Sequence, residues 1–270
     1  MKILYNNKEL NKALNNISNI NFVPTMGGLH QGHVSLIKKS LNKSGVTIVS
    51  IFINPKQFND KKDFKKYPRN IKKDLRILKK LKINFLYLPK YRDIYYSKKD
   101  QNIKLHKNEK ILCAKFRKGH FEGVLDVMNR LTKLIKPKKI FMGEKDFQQF
   151  YLVKKFIEKK YKCEVIISKT IREKNYLAMS TRNKLLTNKQ HKIGGKIALI
   201  LKRFKKKLKV RNNIKKLISE KIKFLNNKFD IKIEYLELRN ISNLKLSLSI
   251  KNSKLFIAYK IGNIRLIDNF

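Results

Sequence analysis

Two histidines and a pair of glycines make residues 23–33 (VPTMGGLHQGH) the segment best suited to a chemical role. The segment follows a predicted strand and opens a predicted helix, and Gly27 and Gly28 allow the backbone to pass close to a ligand. The N–H groups and dipole at a helix N-terminus favour an anion, and His30 and His33 can add hydrogen bonds or charge to a phosphate. The pattern therefore indicates a nucleotide site where an α-phosphate is attacked; two surface histidines at a helix start are the alternative.

Two further turns that follow predicted strands carry polar side chains. Asn54 and Gln57 come directly after the apolar run at 46–53, and their neutral amides suit a small molecule with hydroxyl or carboxylate groups. In the turn at 143–149 (GEKDFQQ), Lys145 can reach phosphate oxygens, and Asp146 can cap the helix or meet a ribose or a metal. Gln149 lies one helical turn further on the same side. The carboxyl ends of parallel strands are where such a sheet binds its ligands, although ordinary polar turns remain the alternative.

Residues 178–183 (AMSTRN) combine two hydroxyls with Arg182 on a predicted connection between domains. This combination predicts a mobile phosphate clamp, with an ordinary helix-capping turn as the alternative. Residues 116–123 (FRKGHFEG) form a basic loop in which His120 is expected to be structural. No P-loop, metal-ligand cluster or Cys–His nucleophile arrangement appears in the sequence, so direct transfer to a substrate is simpler than a covalent enzyme intermediate.

The pattern of apolar residues predicts an α/β fold with two domains. Strands alternate with amphipathic helices up to about residue 170, which indicates βαβ units and a Rossmann-like parallel sheet. Within the helix predicted over 69–82, the apolar residues Ile71, Leu75, Leu78 and Leu81 have helical spacing. The later region predicts long Lys-rich helices at 188–209 and 212–227 and antiparallel strands at 231–239, 254–260 and 264–267. We therefore expect a domain over 1–170 and a smaller α+β domain over 171–270.

The composition gives a net charge of +47, from 66 basic and 19 acidic residues among 270. Such a charge invites a nucleic-acid partner. However, 55 of the basic residues are Lys and only 11 are Arg, and they are spread along the whole chain. Because Lys, Asn and Ile share A/T-rich codons, and nucleic-acid surfaces usually rely on Arg, we favour codon bias and expect no specific nucleic acid.

Two cysteines, Cys113 and Cys163, are too few for a disulfide scaffold and fit a reducing compartment. The start of the sequence has no apolar run of signal-peptide length, and no stretch approaches the ~18 apolar residues of a membrane span. The sequence therefore predicts a cytoplasmic protein without membrane association.

Taken in order, these segments resemble the pantothenate synthetase family, the pantoate–β-alanine ligases. They are similar to that family's VPTMGxLHxGH, SIFVNPxQF, RPGHFxGV, GEKDxQQ and LAMSSRN motifs, and 63–69 and 265–269 are similar to its DxxxYPR and its ending. Three departures occur: Lys118 replaces a proline, Thr181 a serine, and Asn175-Tyr176 an Asp-Gly pair. The likeness covers most of the chain.

The resemblance implies an ATP-dependent ligase of the HxGH nucleotidyltransferase superfamily that works through pantoyl adenylate, with Mg²⁺ accompanying ATP and two copies forming a homodimer. The first domain would bind ATP and pantoate, and the second would act as a lid. His33 would be the proton donor, with His30, Lys145 and Arg182 as the other catalytic groups, and Gln57 and Gln149 would bind pantoate and β-alanine. The implied ATP contacts are Met26, Gly27, Gly28, Leu29, His30, Gln31, Gly32, His33, Gly143, Glu144, Lys145, Asp146, Ile171, Met179, Ser180, Thr181 and Arg182. The alternatives are another HxGH transferase with a different acceptor and a basic nucleic-acid-binding protein.

Overall fold

The computed structural model describes residues 1–96, 103–208 and 213–270, apart from the side chains of Lys61 and Lys62. The chain divides into two units, Met1–Thr170 and Ile171–Phe270. Residues 209 and 212, at the edges of two predicted helices, lie outside the described residues. Within the described ranges, no helix is both long enough and apolar enough to cross a membrane.

The first unit is a six-stranded parallel sheet with helices packed around it, as the sequence predicts. Among the described residues, the strands follow the order β1-β4-β3-β2-β5-β6. The strands are β1 (Lys2–Leu4), β2 (Ile20–Thr25), β3 (Val46–Ile51), β4 (Phe85–Tyr87), β5 (Lys139–Gly143) and β6 (Glu164–Ser168). The helices are α1 (Asn7–Leu14), α2 (Gln31–Leu41), α3 (Lys61–Lys66), α4 (Ile71–Lys80), α5 (Tyr91–Ile94), α6 (Cys113–Phe116), α7 (His120–Ile135) and α8 (Phe147–Lys160).

Burial explains the apolar runs of the central strands. β2 and β3 pair in parallel over six consecutive positions, from Ile20↔Val46 to Thr25↔Ile51. Parallel strands covered on both faces are apolar almost throughout, which is why the sequence shows continuous runs instead of alternation. The core that covers one face of the sheet joins strand residues to helix residues, among them Val23, Leu29, Val49, Leu78 and Phe141.

The strand order places a topological switch point between β2 and β5. From β2 the chain proceeds through β3 to β4 on one side of the sheet, whereas β5 and β6 lie on the other side. In open parallel sheets, ligands bind outside the carboxyl ends of the strands at such a point. The turns that follow β2 and β5 are the ones that carry the histidine pair and Lys145.

The second unit is α+β, again as the sequence predicts. Its antiparallel sheet has the order β7-β8-β9 within the described residues, and the two long helices precede it in the chain. Leu201, Phe204, Leu225, Leu236 and Ile257 are among the buried residues of its core. The elements are α9 (Asn188–Lys207), α10 (Ile214–Lys228), β7 (Lys232–Asn240), β8 (Ser253–Ile261) and β9 (Ile264–Asn269).

The helix predicted over 69–82 forms as α4. Leu78 is buried, and Leu75 and Leu81 pack against the same core cluster. Ile71, the first residue of α4, is 44% exposed. Asp74 is the other buried residue of α4, which the apolar pattern could not show because it is a carboxylate with partners distant in sequence. The terminal elements β1 and α1 also were not predicted.

Candidate active site

The turn after β2 is held by a buried carboxylate. Gly27 and Gly28 adopt left-handed φ values of +76° and +64°, a region that favours glycine. Asp74 of α4 accepts the N–H of Gly28 on Oδ2 and the N–H of Leu29 on Oδ1, both at 2.8 Å. These partners are 46 and 45 residues apart in sequence, and no local pattern identifies them. Sequence analysis therefore found the turn and missed the residue that holds it.

The two histidines at the start of α2 are oriented by backbone N–H groups. Nδ1 of His30 accepts the N–H of Gly32 at 3.1 Å, and Nδ1 of His33 accepts the N–H of His30 at 3.3 Å. The ring centroids lie 4.1 Å apart. Because an N–H donor occupies each Nδ1, this bonding pattern assigns the ring proton to Nε2 in both residues.

The structure brings Gln57 to the first turn. Gln57 ends a 3-10 turn over Pro55–Gln57 that follows β3, and it is only 7% exposed. Its Nε2 donates to Sδ of Met26, and its Oε1 accepts from Nδ2 of Asn54 at 3.4 Å. Asn54 also caps the 3-10 turn, since its Oδ1 accepts the N–H of Lys56. The first two motifs found in the sequence therefore meet in space.

The basic loop at residues 116–123 contacts the backbone of the 3-10 turn over Pro55–Gln57. Nδ1 of His120 lies 2.6 Å from the carbonyl oxygen of Gln57, and Nε2 lies 2.8 Å from Nη1 of Arg117. A guanidinium only donates, so Nε2 accepts and Nδ1–H donates to the carbonyl. Gly123 adds a close approach: a Cβ there would lie 2.4 Å from the carbonyl oxygen of Lys56. These contacts and the burial of His120 support the expectation that it is structural.

An ion-pair network that the sequence did not reveal lies beside Asn54. The Tyr95 hydroxyl donates to Oδ1 of Asn54 at 2.9 Å, and burial, together with the Asp126 charge, raises the pKa of this phenol. The carboxylate of Asp126 pairs with Nε of Arg130 at 2.7 Å and faces Nζ of Lys56 at 3.7 Å. The raised pKa keeps the Tyr95 hydroxyl protonated, and therefore a donor, at neutral pH.

The turn after β5 carries the second cluster of predicted residues. Nζ of Lys145 lies 3.5 Å from Oδ1 of Asp146, and Oε2 of Glu144 accepts the N–H of Thr170 at 3.3 Å. Asp146 stands at the N-cap of α8 without making a side-chain capping bond, so the capping role considered for it was wrong. Among the described residues, no atom lies within 4 Å of where a Cβ on Gly143 would stand. The space beside this backbone is therefore open.

Two neighbouring glutamines of α8 have different environments. Gln148 is buried, and its amide bonds to the N–H of Cys113 at 3.0 Å and to the carbonyl of Ile111 at 2.8 Å. Gln149, the predicted substrate contact, is partly exposed. Gln148 therefore anchors α8 to neighbouring backbone, whereas Gln149 is accessible to a small molecule.

In the second unit, the predicted clamp is a hydrogen-bonded turn. The N–H of Met179 donates to the carbonyl of Ile171 at 3.0 Å, which brings these two predicted residues together. Ser180 caps the following 3-10 turn, with Oγ accepting the N–H of Arg182 at 3.3 Å. Thr181 is buried, whereas Met179, Ser180 and Arg182 are partly exposed.

Nearby polar residues hold this turn. Nδ2 of Asn183 donates to Oε1 of Glu173 at 2.7 Å, and Oε2 of Glu173 pairs with Nε2 of His191 at 2.7 Å. The turn at 173–176 forms even though Asn175-Tyr176 replaces the Asp-Gly pair of the motif. Tyr176 takes a left-handed φ of +74° there, a conformation that is strained for a bulky residue.

A model of the Pantoate-beta-alanine ligase family matches residues 2–270. The chain belongs to the pantoate–β-alanine ligase family. It is therefore an enzyme, a ligase that joins pantoate to β-alanine, and the resemblance inferred from the motifs is confirmed.

Relatives and solved structures agree with the ligase assignment. The chain is 39% identical to pantothenate synthetase of Azobacteroides pseudotrichonymphae genomovar. CFP2, with 100% of the chain and 99% of the relative covered. A crystal structure of the Thermus thermophilus enzyme has a TM-score of 0.94 at 27% identity, covering 100% and 99% of the two chains. A Francisella tularensis ligase, complexed with beta-gamma ATP and β-alanine, has a TM-score of 0.84 at 35% identity, covering 100% and 97%.

Proposed function

We propose that the chain condenses pantoate with β-alanine in two steps driven by ATP. The pantoate carboxylate attacks the α-phosphate and releases pyrophosphate, giving pantoyl adenylate. The β-alanine amine then attacks the acyl carbon and releases AMP. The observation that carries this proposal is the orientation of His30 and His33, whose Nδ1 atoms both accept backbone N–H groups at the switch point of the sheet.

The imidazole orientation suits phosphoryl chemistry. Charge builds on the phosphoryl oxygens during attack, and prearranged donors stabilise it. With the ring proton on Nε2, His30 and His33 can each donate a hydrogen bond from Nε2–H, and His33 is proposed as the hydrogen-bond donor to the departing pyrophosphate. Lys145 adds a cation to the phosphates, and Asp146 would bind the ribose.

The remaining ATP contacts are proposed from their positions in the motifs. Residues 26–33 would line the nucleotide after β2, and the open space against Gly143 supports a ligand beside residues 143–146. Ile171 would meet adenine through its backbone. Residues 179–182 would close over the phosphates, which makes Ile171–Phe270 the proposed lid and Met1–Thr170 the proposed ATP- and pantoate-binding domain.

Gln57 and Gln149 are proposed to bind pantoate, with Gln57 also near β-alanine. A neutral amide binds hydroxyl and carboxylate groups without a salt bridge, so the pantoate carboxylate stays reactive. The orientation of Gln57 is fixed by its contacts to Met26 and Asn54 and by His120 on its carbonyl.

Mg²⁺ is proposed to accompany ATP. Among the described residues there is no group of three or more His, Cys, Asp or Glu side chains that could hold a metal ion. Mg²⁺ in ATP sites is commonly held by substrate phosphates and water with one or two carboxylates. We propose an ion delivered with the nucleotide, which would neutralise phosphate charge, and we assign it no protein ligand.

A cytoplasmic location and a homodimer complete the proposal. Both cysteines are buried free thiols, which suits a reducing compartment. The homodimer rests on the family resemblance and is checked by sedimentation of the purified chain. We propose no specific nucleic-acid partner.

The test is pantoate-dependent exchange of pyrophosphate into ATP, followed by AMP release on adding β-alanine. The proposal expects no exchange without pantoate and stoichiometric AMP with pantothenate. Exchange that needs another acceptor would favour a different HxGH transferase. Absence of exchange together with tight, salt-sensitive RNA binding would favour a nucleic-acid-binding protein.

A further inference from the structure

The glycine turn after β2 already contains an anion of its own. A turn can direct neighbouring backbone N–H groups into a concavity that binds anions. In this chain the Asp74 carboxylate fills that concavity, with one oxygen on the N–H of Gly28 and the other on the N–H of Leu29. A turn of this kind would otherwise offer those two amides to a phosphate.

A carboxylate at this position needs an explanation. Asp74 is only 2% exposed, and a buried charge is unfavourable unless it is hydrogen-bonded. A negative charge beside a phosphate site also repels the ligand. Two charge-assisted hydrogen bonds offset the cost of burying this charge. The dipole of α4 also contributes, because Asp74 lies in the first turn of that helix. An asparagine could accept only one of the two N–H groups, because its other terminal atom is itself a donor.

Gly27 shows that the turn is built around Asp74. A Cβ on Gly27 would lie 3.1 Å from Oδ2 of Asp74 and 3.1 Å from Cγ2 of Ile51. The close approach that glycine permits here is to this carboxylate. At the start of α4, Asn70 caps the helix, and Leu78 of α4 shares a core cluster with Val49 and Leu86 of the sheet. The position of Asp74 is therefore fixed independently of the turn.

We propose that Asp74 is a positioning residue that occupies the anion concavity of residues 27–29 and thereby orients His30 and His33. The nucleotide phosphates are then bound by the imidazole Nε2–H groups and Lys145, and not by the amides of Gly28 and Leu29. This inference rests on the proposed function of the turn as an ATP site.

The first test compares Asp74→Asn with Glu158→Gln. Glu158 is a matched control, because its Oε1 also accepts a backbone N–H from another element, that of Val165 at 2.8 Å, near the start of β6. For Asp74→Asn we expect pantoate-dependent pyrophosphate exchange to fall about ten- to a hundredfold, with a higher KM for ATP. Aminolysis of supplied pantoyl adenylate by β-alanine should change by less than about threefold, since it no longer needs the triphosphate contacts.

A purely structural role gives a different result. Loss of folded protein lowers both steps equally, so equal losses in Asp74→Asn, or no loss in exchange, would overturn the inference. Glu158→Gln should leave the ratio of the two steps unchanged. If the wild-type chain shows no pantoate-dependent exchange, the proposed function fails instead, which separates the two conclusions.

The second test uses the wild-type chain and needs no variant. Hydrogen exchange measured by NMR should show protected Gly28 and Leu29 amides before nucleotide is added. Their protection should not rise when a non-hydrolysable ATP analogue binds. Amides that are unprotected in the free enzyme and become protected with the analogue would show that phosphate takes the place assigned to Asp74.

Discussion

The two turns proposed to contact phosphates, residues 27–33 and residues 179–182, are supported in different ways. The first depends on Asp74, which is 46 residues from Gly28 in the sequence. The second depends on near neighbours: Ser180 accepts the N–H of Arg182 two residues on, and Asn183 reaches Glu173 ten residues back. The first turn therefore requires the folded sheet and α4, whereas the second is largely defined by its own stretch of sequence.

The two turns also differ in how firmly their hydrogen-bond donors are oriented before substrate binds. The first presents two imidazoles whose Nδ1 atoms are both hydrogen-bonded, so the donors are fixed before any substrate arrives. The second presents the Arg182 guanidinium on a short 3-10 turn. Prearranged donors contribute most to a reaction step, since no reorganisation is needed. We therefore expect the first turn to affect the rate of adenylate formation more than the second.

His33→Ala is the strongest test of this difference. Removing this prearranged Nε2–H donor should lower pantoate-dependent pyrophosphate exchange by about 10²- to 10³-fold, the usual cost of losing one such donor to developing charge. His106→Ala is the control, because His106 is exposed and lies outside the proposed site. Exchange rates are measured at saturating ATP and pantoate.

Loss of exchange in both histidine variants would point to folding, which thermal unfolding would reveal. Unchanged exchange in a folded His33→Ala variant would remove the first turn from the chemical step.

Arg182→Ala tests the second turn. Loss of a charged donor to phosphate should weaken catalysis by about ten- to a hundredfold, mostly as a higher KM for ATP. Lys184→Ala removes a nearby exposed cation and should leave the kinetics of ATP use unchanged. A loss for Arg182→Ala larger than that for His33→Ala would reverse the order expected for the two turns.

Gly123→Ala tests tertiary support at Gln57. A Cβ 2.4 Å from the Lys56 carbonyl must displace the 3-10 turn, so we expect a loss of about 1–3 kcal/mol in unfolding free energy and a higher KM for pantoate. Gly143→Ala is the stability control, since its Cβ would have no atom of the described part of the chain within 4 Å. Denaturant unfolding of both variants gives the comparison. Equal unfolding free energies would mean that the 3-10 turn moves away from the added Cβ at little cost.

The same distinction explains what could be predicted from the sequence. Apolar runs and helical spacing predicted β2, β3, α7, α8 and the sheet class, because burial on parallel strands leaves a local pattern. Short motifs likewise identified the histidine pair and the turn after β5. Asp74, Asp126 and the approach of Gly123 to Lys56 left no such signal, because each depends on partners brought together only by the fold.

The smallest effect is expected at Tyr176, where the second turn carries local strain. A left-handed conformation costs a non-glycine residue about 1–2 kcal/mol, while Lys202 lies 4.5 Å from the Tyr176 ring and compensates part of this. Tyr176→Ala keeps the strain and loses the ring. Tyr176→Gly loses the ring and the strain, although its unfolded chain is more flexible. We therefore expect the Gly variant to exceed the Ala variant by about 1 kcal/mol in unfolding free energy. Equal stabilities would show that the turn relaxes around Ala, and that its conformation comes from the Glu173, Asn183 and His191 contacts rather than from residue 176.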